Sequence, residues 1–395
     1  MKILIILFSM GLFAQNNLTL DEAFLKALKN SPKIKALKEK INTQRFSGKS
    51  ETKYPNPELS VEVSDFLGTN TYSGFDSSVL SLGVSQEILL GGKNNKLRNL
   101  SDQKIQVIKA EIKKERIKLK YNIKKIFTEL KVLNKYYKLA LENKKISMQI
   151  LETVKNKKES GAISSLEVLK AKIEYKNSKI ETDKLKNQIK LEKKQLLLLI
   201  GDSNLKNIHT DIKLLTDLPE LRTINSSADI KIQKEIIKTV KKELIFENSN
   251  KIPDITFNLE ANRYNEAGDY SFTAGISIPL PVWNLNKNKI KSVKSEIVNQ
   301  KYKLKSIEKE FKQKMSKLKK EMISLKNTLL TLKTEIIPLA EDSLKLAQEG
   351  YKEGEFAYLE LLDAQKTLIL IKKQYIDELS RFNFLILEAE YITGE

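Results

Sequence analysis

The stretch 351-YKEGEFAYLELLDAQKTL-368 decides the fold, because it breaks a long helical pattern in the same way as a second stretch far upstream. Gly350 and Gly354 interrupt the helix signal, and a new apolar run then carries Glu360 and Asp363, one turn apart. Residues 159–171 read ESGAISSLEVLKA. With Gly161 set against Gly354, Gly, Leu, Glu, Leu and Ala coincide, and Glu167 falls on Glu360. A bend written twice, about 193 positions apart, points to an internal repeat.

The rest of the chain carries the same echo. Pro57 matches Pro253, Gly83 matches Gly275, and Asn95-Lys96 matches Asn288-Lys289, at offsets of about 192–196. The first half opens on LTLDEAFLKALKNSP (18–32), where Thr19 with Glu22 three residues on predicts a capped helix start. Leu59, Val61 and Val63 then alternate with Ser60, Glu62 and Ser64, and Leu80, Leu82 and Val84 with Ser81, Gly83 and Ser85. In the second half Ile255, Phe257 and Leu259 alternate in the same way, as do Phe272, Ala274, Ile276 and Ile278. Period two is the strand signal.

Each strand pair leads into a very long helix. Ile105, Ile108, Ile112, Leu119, Ile123, Ile126, Leu130, Leu133 and Tyr137 keep a three-to-four spacing suited to coiled-coil packing, broken once by Glu115. The predicted organisation is a leader at 1–14, a first repeat at 15–205 and a second at 206–395. The first has strands at about 57–67 and 77–89 and helices at about 93–158 and 162–200. The second has strands at about 253–264 and 270–280 and helices at about 287–349 and 355–391, with Pro338 expected to kink the outgoing helix. At 1.5 Å per residue the first long helix would extend roughly 100 Å.

Composition excludes several classes of function. There is no cysteine and a single histidine, His209, so thiolate sites, a Cys nucleophile and a His-rich metal centre are out of reach. An enzyme is excluded for want of a nucleophile, base and orienter that could converge, and no cofactor is implied. The formal net charge of +20 invites a nucleic-acid reading. Arginine, the usual bidentate reader, stands only at 45, 98, 116, 222, 263 and 381, and the lysines are scattered among glutamates along helices. That pattern is a solvated helix face.

Lys2, the apolar run 3–13 and Ala14 have the parts of a secretory signal, too short to span a bilayer. No later run reaches about 18 apolar residues. The four strands have one apolar and one polar face and about the 9–11 residues that a tilted barrel strand needs. Phe66, Tyr72, Phe75, Tyr264, Tyr270 and Phe272 cluster near their ends, as an interfacial girdle would. A soluble hairpin pair capping a coiled coil fits the same alternation. Lipid, however, demands closure, and three chains with four strands each would close a barrel of twelve.

SQEILLGGKNNKLR (85–98), GISIPLPVWNLNKNKI (275–290) and the opening stretch, with LLLLIGD (196–202), resemble the TolC-type outer-membrane efflux channel family. The GGK and IPLPVWN segments resemble its heavy-metal, CzcC-like branch, although Asn94 stands where that branch commonly has arginine. The resemblance implies a mainly α fold with a membrane β-barrel part: a homotrimer with a twelve-stranded barrel in outer-membrane lipid, continued by a periplasmic α-helical barrel. It implies a passive gated duct working with a periplasmic adaptor protein and an inner-membrane efflux pump of the RND type, for metal cations or small toxic compounds.

The resemblance also places a periplasmic gate at the hairpin tips, with turns at Gly161, Gly350 and Gly354. Tyr351 matches the family's gating tyrosine, Asp363 a ring aspartate, Glu360 a second acid, and Glu167 its counterpart in the first repeat. Phe356 occupies the place of the tyrosine's arginine partner, so a hydrophobic or differently paired closure is expected. Glu360 and Asp363 share a helix face, and threefold symmetry would turn each into a ring favouring cations. The plainer alternative is a pair of exposed helix acids beside Lys366. A periplasmic adaptor, with one helical hairpin, and a coiled-coil scaffold are the rival readings of the whole chain.

Overall fold

The computed structural model describes residues 17–202, 207–208, 212–220 and 223–394. The expected leader, His209 and Arg222 lie outside the described residues. The order is β1 (Asn17–Leu18), α1 (Leu20–Asn30), α2 (Pro32–Glu51), β2 (Glu58–Ser64), β3 (Val79–Ile88), α3 (Lys93–Glu159) and α4 (Ser165–Ile200). There follow β4 (Asn207–Ile208), α5 (Ala228–Ser249), β5 (Ile255–Tyr264), β6 (Tyr270–Ser277), α6 (Lys287–Thr331), α7 (Ile337–Glu353) and α8 (Tyr358–Thr393).

Local chemistry sets the boundaries. Thr19 caps α1 as expected: its Oγ1 accepts from Glu22 N at 3.3 Å, and Glu22 Oε2 accepts from Thr19 N at 3.0 Å. The first strand stops at Ser64, short of the expected 67, because Asp65 and Leu67 turn left-handed with φ of 58° and 59°. The last strand stops at Ser277, since Pro279 and Pro281 have no N–H to give the ladder. At Pro338 the helix widens upstream rather than ending: Leu332–Ile336 form a π turn between α6 and α7. That turn relieves the clash of the proline ring with the carbonyl four residues back.

The chain divides into two compact units, each drawing on both halves of the sequence. One comprises Lys35–Lys114 and Asn225–Glu310 and holds an antiparallel sheet in the order β2-β3-β5-β6. The β3–β5 pairing, from Val79↔Tyr264 to Ile88↔Ile255, joins the two strand pairs. Against α3, α2 packs so closely that a Cβ on Gly48 would lie 1.9 Å from Ser101 Oγ. Between α5 and α6, the buried Gln233 donates to Gln300 O at 3.0 Å and Oε1 at 2.7 Å.

The other unit comprises the chain up to Ile34, Glu115–Ile224 and Phe311 onward. Leu18, Ala23 and Ala27 pack on Ile123, Phe127, Leu130, Leu196 and Ile200, so the α1 stripe is covered by α3 and α4. Met315, Leu318, Met322, Leu325 and Leu329 pack against Leu379, Phe382 and Ile386 along α6 and α8. Glu115, the break in the apolar seam, is met by Lys33 Nζ at 2.8 Å. A third core, from Ile150 and Val154 to Ala347, Tyr351, Tyr358 and Leu361, binds the two hairpins together near their turns.

Candidate functional site

Two features carry chemistry: the hairpin turns and the faces of the sheet. At the first turn Gly161 takes φ 78°, and Ala162 N donates to Lys157 O at 3.0 Å. At the second, Gly354 takes φ 88°, and Glu355 N donates to Gly350 O at 2.8 Å. Both are six-to-one closures that place a residue in the left-handed region, where glycine has no Cβ to clash. Gly350 is different from expectation: it lies inside α7 and does not interrupt it. Its lack of a side chain makes room for Phe356, whose Cδ2 would be 2.3 Å from an added Cβ.

Tyr351, at 3% exposure, is the buried centre of this region. Its Oη donates to Glu167 Oε2 at 3.2 Å, across from α7 to α4. Lys157, in the last turn of α3, donates to the Tyr351 carbonyl and holds its Nζ 4.7 Å from the ring centroid. The Tyr358 ring stands edge-on at 6.2 Å. One residue is therefore fixed by a carboxylate, an ammonium over its ring face and an aromatic edge. Burial, then the Glu167 charge and hydrogen bond, push the Tyr351 phenol well above its ordinary pKa. Burial, with Glu174 and Glu167, raises Tyr358 to about 12, and its buried hydroxyl has no hydrogen-bond partner among the described residues.

The predicted site residues thus separate. Tyr351 and Glu167 meet; Glu360 and Asp363 are both exposed on α8 and make no ion pair among the described residues. Lys366 does not neutralise them, since it pairs with Glu174 on α4 at 3.3 Å. Phe356 is half exposed over Gly350. The cation that approaches Tyr351 comes instead from the other hairpin, as Lys157. Sequence reading missed Lys157 and Tyr358: Tyr358 opens α8 beyond the Gly354 turn, so its seven-residue distance from Tyr351 on α7 is no helical repeat and gave no signal.

Polar ties farther along hold the hairpins in register. The buried Gln365 donates to Asn143 Oδ1 and Ser147 Oγ, both at 2.8 Å. Lys372 reaches Glu142 at 2.7 Å and Glu341 at 2.6 Å, joining α8 to α3 and α7. Burial opposes its charge, but the two carboxylates outweigh that and hold its pKa above the ordinary lysine value.

The sheet is sharply two-faced. In register, Val61, Leu82, Ala261 and Phe272 form one cross-strand row, and Leu59, Val84, Leu259 and Ala274 the next. Leu59, Val61, Leu82, Leu259, Phe272 and Ile276 are all more than half exposed. The opposite face has rows such as Glu62, Ser81, Asn262 and Ser271. Outer strands β2 and β6 each have one unpaired edge. No helix among the described residues is long and apolar enough to cross a membrane, and none of their acidic or imidazole groups cluster as a metal site.

Comparison with known proteins agrees with this architecture. Residues 25–202 match the outer membrane efflux protein family. The cobalt-zinc-cadmium resistance protein CzcC of Cupriavidus metallidurans is 23% identical over 376 residues, covering 93% of this chain and 88% of that protein. The solved structure of the outer membrane protein VceC from Vibrio cholerae superposes with a TM-score of 0.74 at 15% identity, over 95% of this chain and 96% of that one. A structure of CusC gives 0.73 at 16% identity, over 96% of this chain and 92% of that one. Somewhat under half of the chain, residues 25–202, is thus similar in sequence to the outer membrane efflux protein family, and nearly the whole chain shares the fold of the VceC and CusC structures.

Proposed function

We propose that this chain is the outer-membrane duct of a tripartite efflux system. It acts as a homotrimer that receives its cargo from a periplasmic adaptor and an inner-membrane pump of the RND type. The observation that carries this reading is the four-stranded sheet with an exposed apolar face and two open edges. Such a sheet is a liability in water, and its unpaired backbone groups cannot be left open in lipid. Three copies supply twelve strands and remove every edge. The helical hairpins then continue the duct on the periplasmic side, and the two sequence repeats supply two hairpins per chain.

The turns close the duct. Tyr351, held by Glu167 and Lys157, is the latch between the hairpins of one chain, in place of the tyrosine–arginine contact that Phe356 precludes. Glu360 and Asp363, exposed and without an ion pair among the described residues, form rings by symmetry and favour cations. The relationship to CzcC supports divalent metal cations as cargo, with small toxic compounds as the other candidate class.

Purification from outer membranes with trimer mass, single-channel recording, and zinc, cadmium and dye sensitivity of a deletion strain test this together. A soluble periplasmic monomer without conductance would overturn the duct. Unchanged metal sensitivity with raised dye sensitivity would overturn the metal assignment alone.

A further inference from the structure

We propose that residues 278–285 are an interfacial lipid anchor. Trp283 seats in the headgroup region of the periplasm-facing phospholipid leaflet, and the first lysines of α6 meet its anionic headgroups. The inference rests on the outer-membrane duct reading and adds a lipid site to it.

The two junctions that lead from the four-stranded sheet into a long helix, β3 to α3 and β6 to α6, are built differently. After β3, Asp254 ties the junction down: its Oδ1 accepts from Leu90 N at 2.8 Å and its Oδ2 meets Lys93 Nζ at 2.6 Å. After β6 the side-chain tie comes only at Asn286, and among the described residues the segment before it is left uncovered. Leu280 is 80% exposed, Val282 68% and Trp283 97%.

This exposed segment is ordered by its own chemistry. Pro279 and Pro281 fix φ, Val282 N donates to Leu280 O at 2.8 Å, and Asn286 donates to Glu247 O and Oε2 at 2.8 and 2.7 Å. The prolines fall on the parity of the polar face, and the alternating apolar series Phe272, Ala274, Ile276 runs on in the sequence, past the end of β6 at Ser277, as the exposed Ile278, Leu280 and Val282. The occupant of that series' extension is therefore whatever covers the apolar face of the sheet, which in the duct reading is lipid. Immediately beyond stand Trp283, two asparagines and the exposed Lys287, Lys289 and Lys291. Acyl-facing residues, then an indole, then lysines is the order of polarity met on leaving a leaflet, and anionic lipid attracts basic groups at its surface.

Trp283 is the only tryptophan of the chain, so intrinsic indole fluorescence reports on this site alone. The purified protein is reconstituted in phosphatidylethanolamine–phosphatidylglycerol vesicles containing phospholipids brominated near the headgroup or deep in the acyl chain. Flotation and single-channel conductance are measured on the same preparation. We expect emission at shorter wavelength than in a fully hydrated indole, stronger quenching by shallow than by deep bromines, and loss of the signal in Trp283→Phe. Lys287→Gln with Lys289→Gln and Lys291→Gln should weaken the dependence of the quenching on phosphatidylglycerol. Floating, conducting protein with water-like, unquenched emission would overturn the anchor and leave the duct standing. Protein that neither floats nor conducts would overturn both.

Discussion

The Tyr351 hydroxyl donates to the Glu167 carboxylate at 3.2 Å across 184 positions of sequence, tying the second hairpin to the first. A hydrogen bond to a charged group contributes about 1.5–3 kcal/mol. Tyr351→Phe keeps the ring, and hence Tyr358 and the Lys157 contact, while removing that bond. We expect a rise in open probability of about tenfold or more in planar bilayers, since about 1.4 kcal/mol is a factor of ten. Glu167→Gln should give a smaller rise. Unchanged gating in both would show that the hairpins are held by packing alone.

The same phenols set a response to alkali. Tyr358 is raised to about 12 from the ordinary 10.0, and Tyr351 is raised in the same direction. The neutral form is the one favoured in the folded chain, so the folded state binds more protons than the unfolded state between those values. The contribution is therefore fully present below about pH 10 and is lost as pH climbs toward 12. Melting temperature should be insensitive to these groups from neutrality to pH 10 and fall above it. Tyr351→Phe with Tyr358→Phe should flatten part of that fall. An unaltered alkaline limb in the double variant would count against the assignment.

Much of the fold was legible because its signals are periodic. Alternation at 59–63 and 80–84 marked strands, three-to-four spacing marked α3, and Thr19 with Glu22 marked a helix start that the structure caps as predicted. What sequence could not give was contact between the hairpins. Lys157 looks like any other lysine of a solvated helix face, and only the packing of α3 against α7 brings it over Tyr351. Gly350 reads as a helix breaker, yet its reason is a neighbour six residues on: Phe356 needs the space. The acids at 167 and 360 are equivalent in sequence and differ in surroundings, one bonded to tyrosine and one exposed.

Gly350 and Gly354 should therefore fail for different reasons. Gly354→Ala forces a Cβ into the left-handed region, at a cost of about 1–2 kcal/mol. Gly350→Ala leaves the backbone relaxed but collides with Phe356. Adding Phe356→Ala should restore the stability of Gly350→Ala and do nothing for Gly354→Ala. Thermal unfolding of the four variants separates the two mechanisms, and rescue of both or of neither would refute the distinction.

Asp254 anchors the β3–α3 junction, with its side chain and that of Lys93 only 18% and 12% exposed. Removing one partner of such a buried pair strands the other charge and a backbone N–H, so Asp254→Ala should destabilise by about 3 kcal/mol. Limited proteolysis should then cut near residues 89–93, where the parent chain resists. Full resistance would mean that strand pairing alone holds the junction.

The two faces of the sheet make opposite predictions for one added charge. Leu82 lies between Val61 and Ala261 on the apolar face, and the adjacent Ser81 lies between Glu62 and Asn262 on the polar one. On a barrel the first faces lipid and the second the lumen. Leu82→Arg should cost about 2–4 kcal/mol per chain if it lies near the middle of the bilayer. It should largely abolish trimers in the outer-membrane fraction. Ser81→Arg instead places the guanidinium beside Glu62 in water and should assemble normally, changing conductance and ion preference rather than yield. The two positions are neighbours in sequence, so local strand propensity cannot explain a difference between them. Equal tolerance at both positions, or loss at Ser81 alone, would reverse the assignment of the faces and with it the barrel.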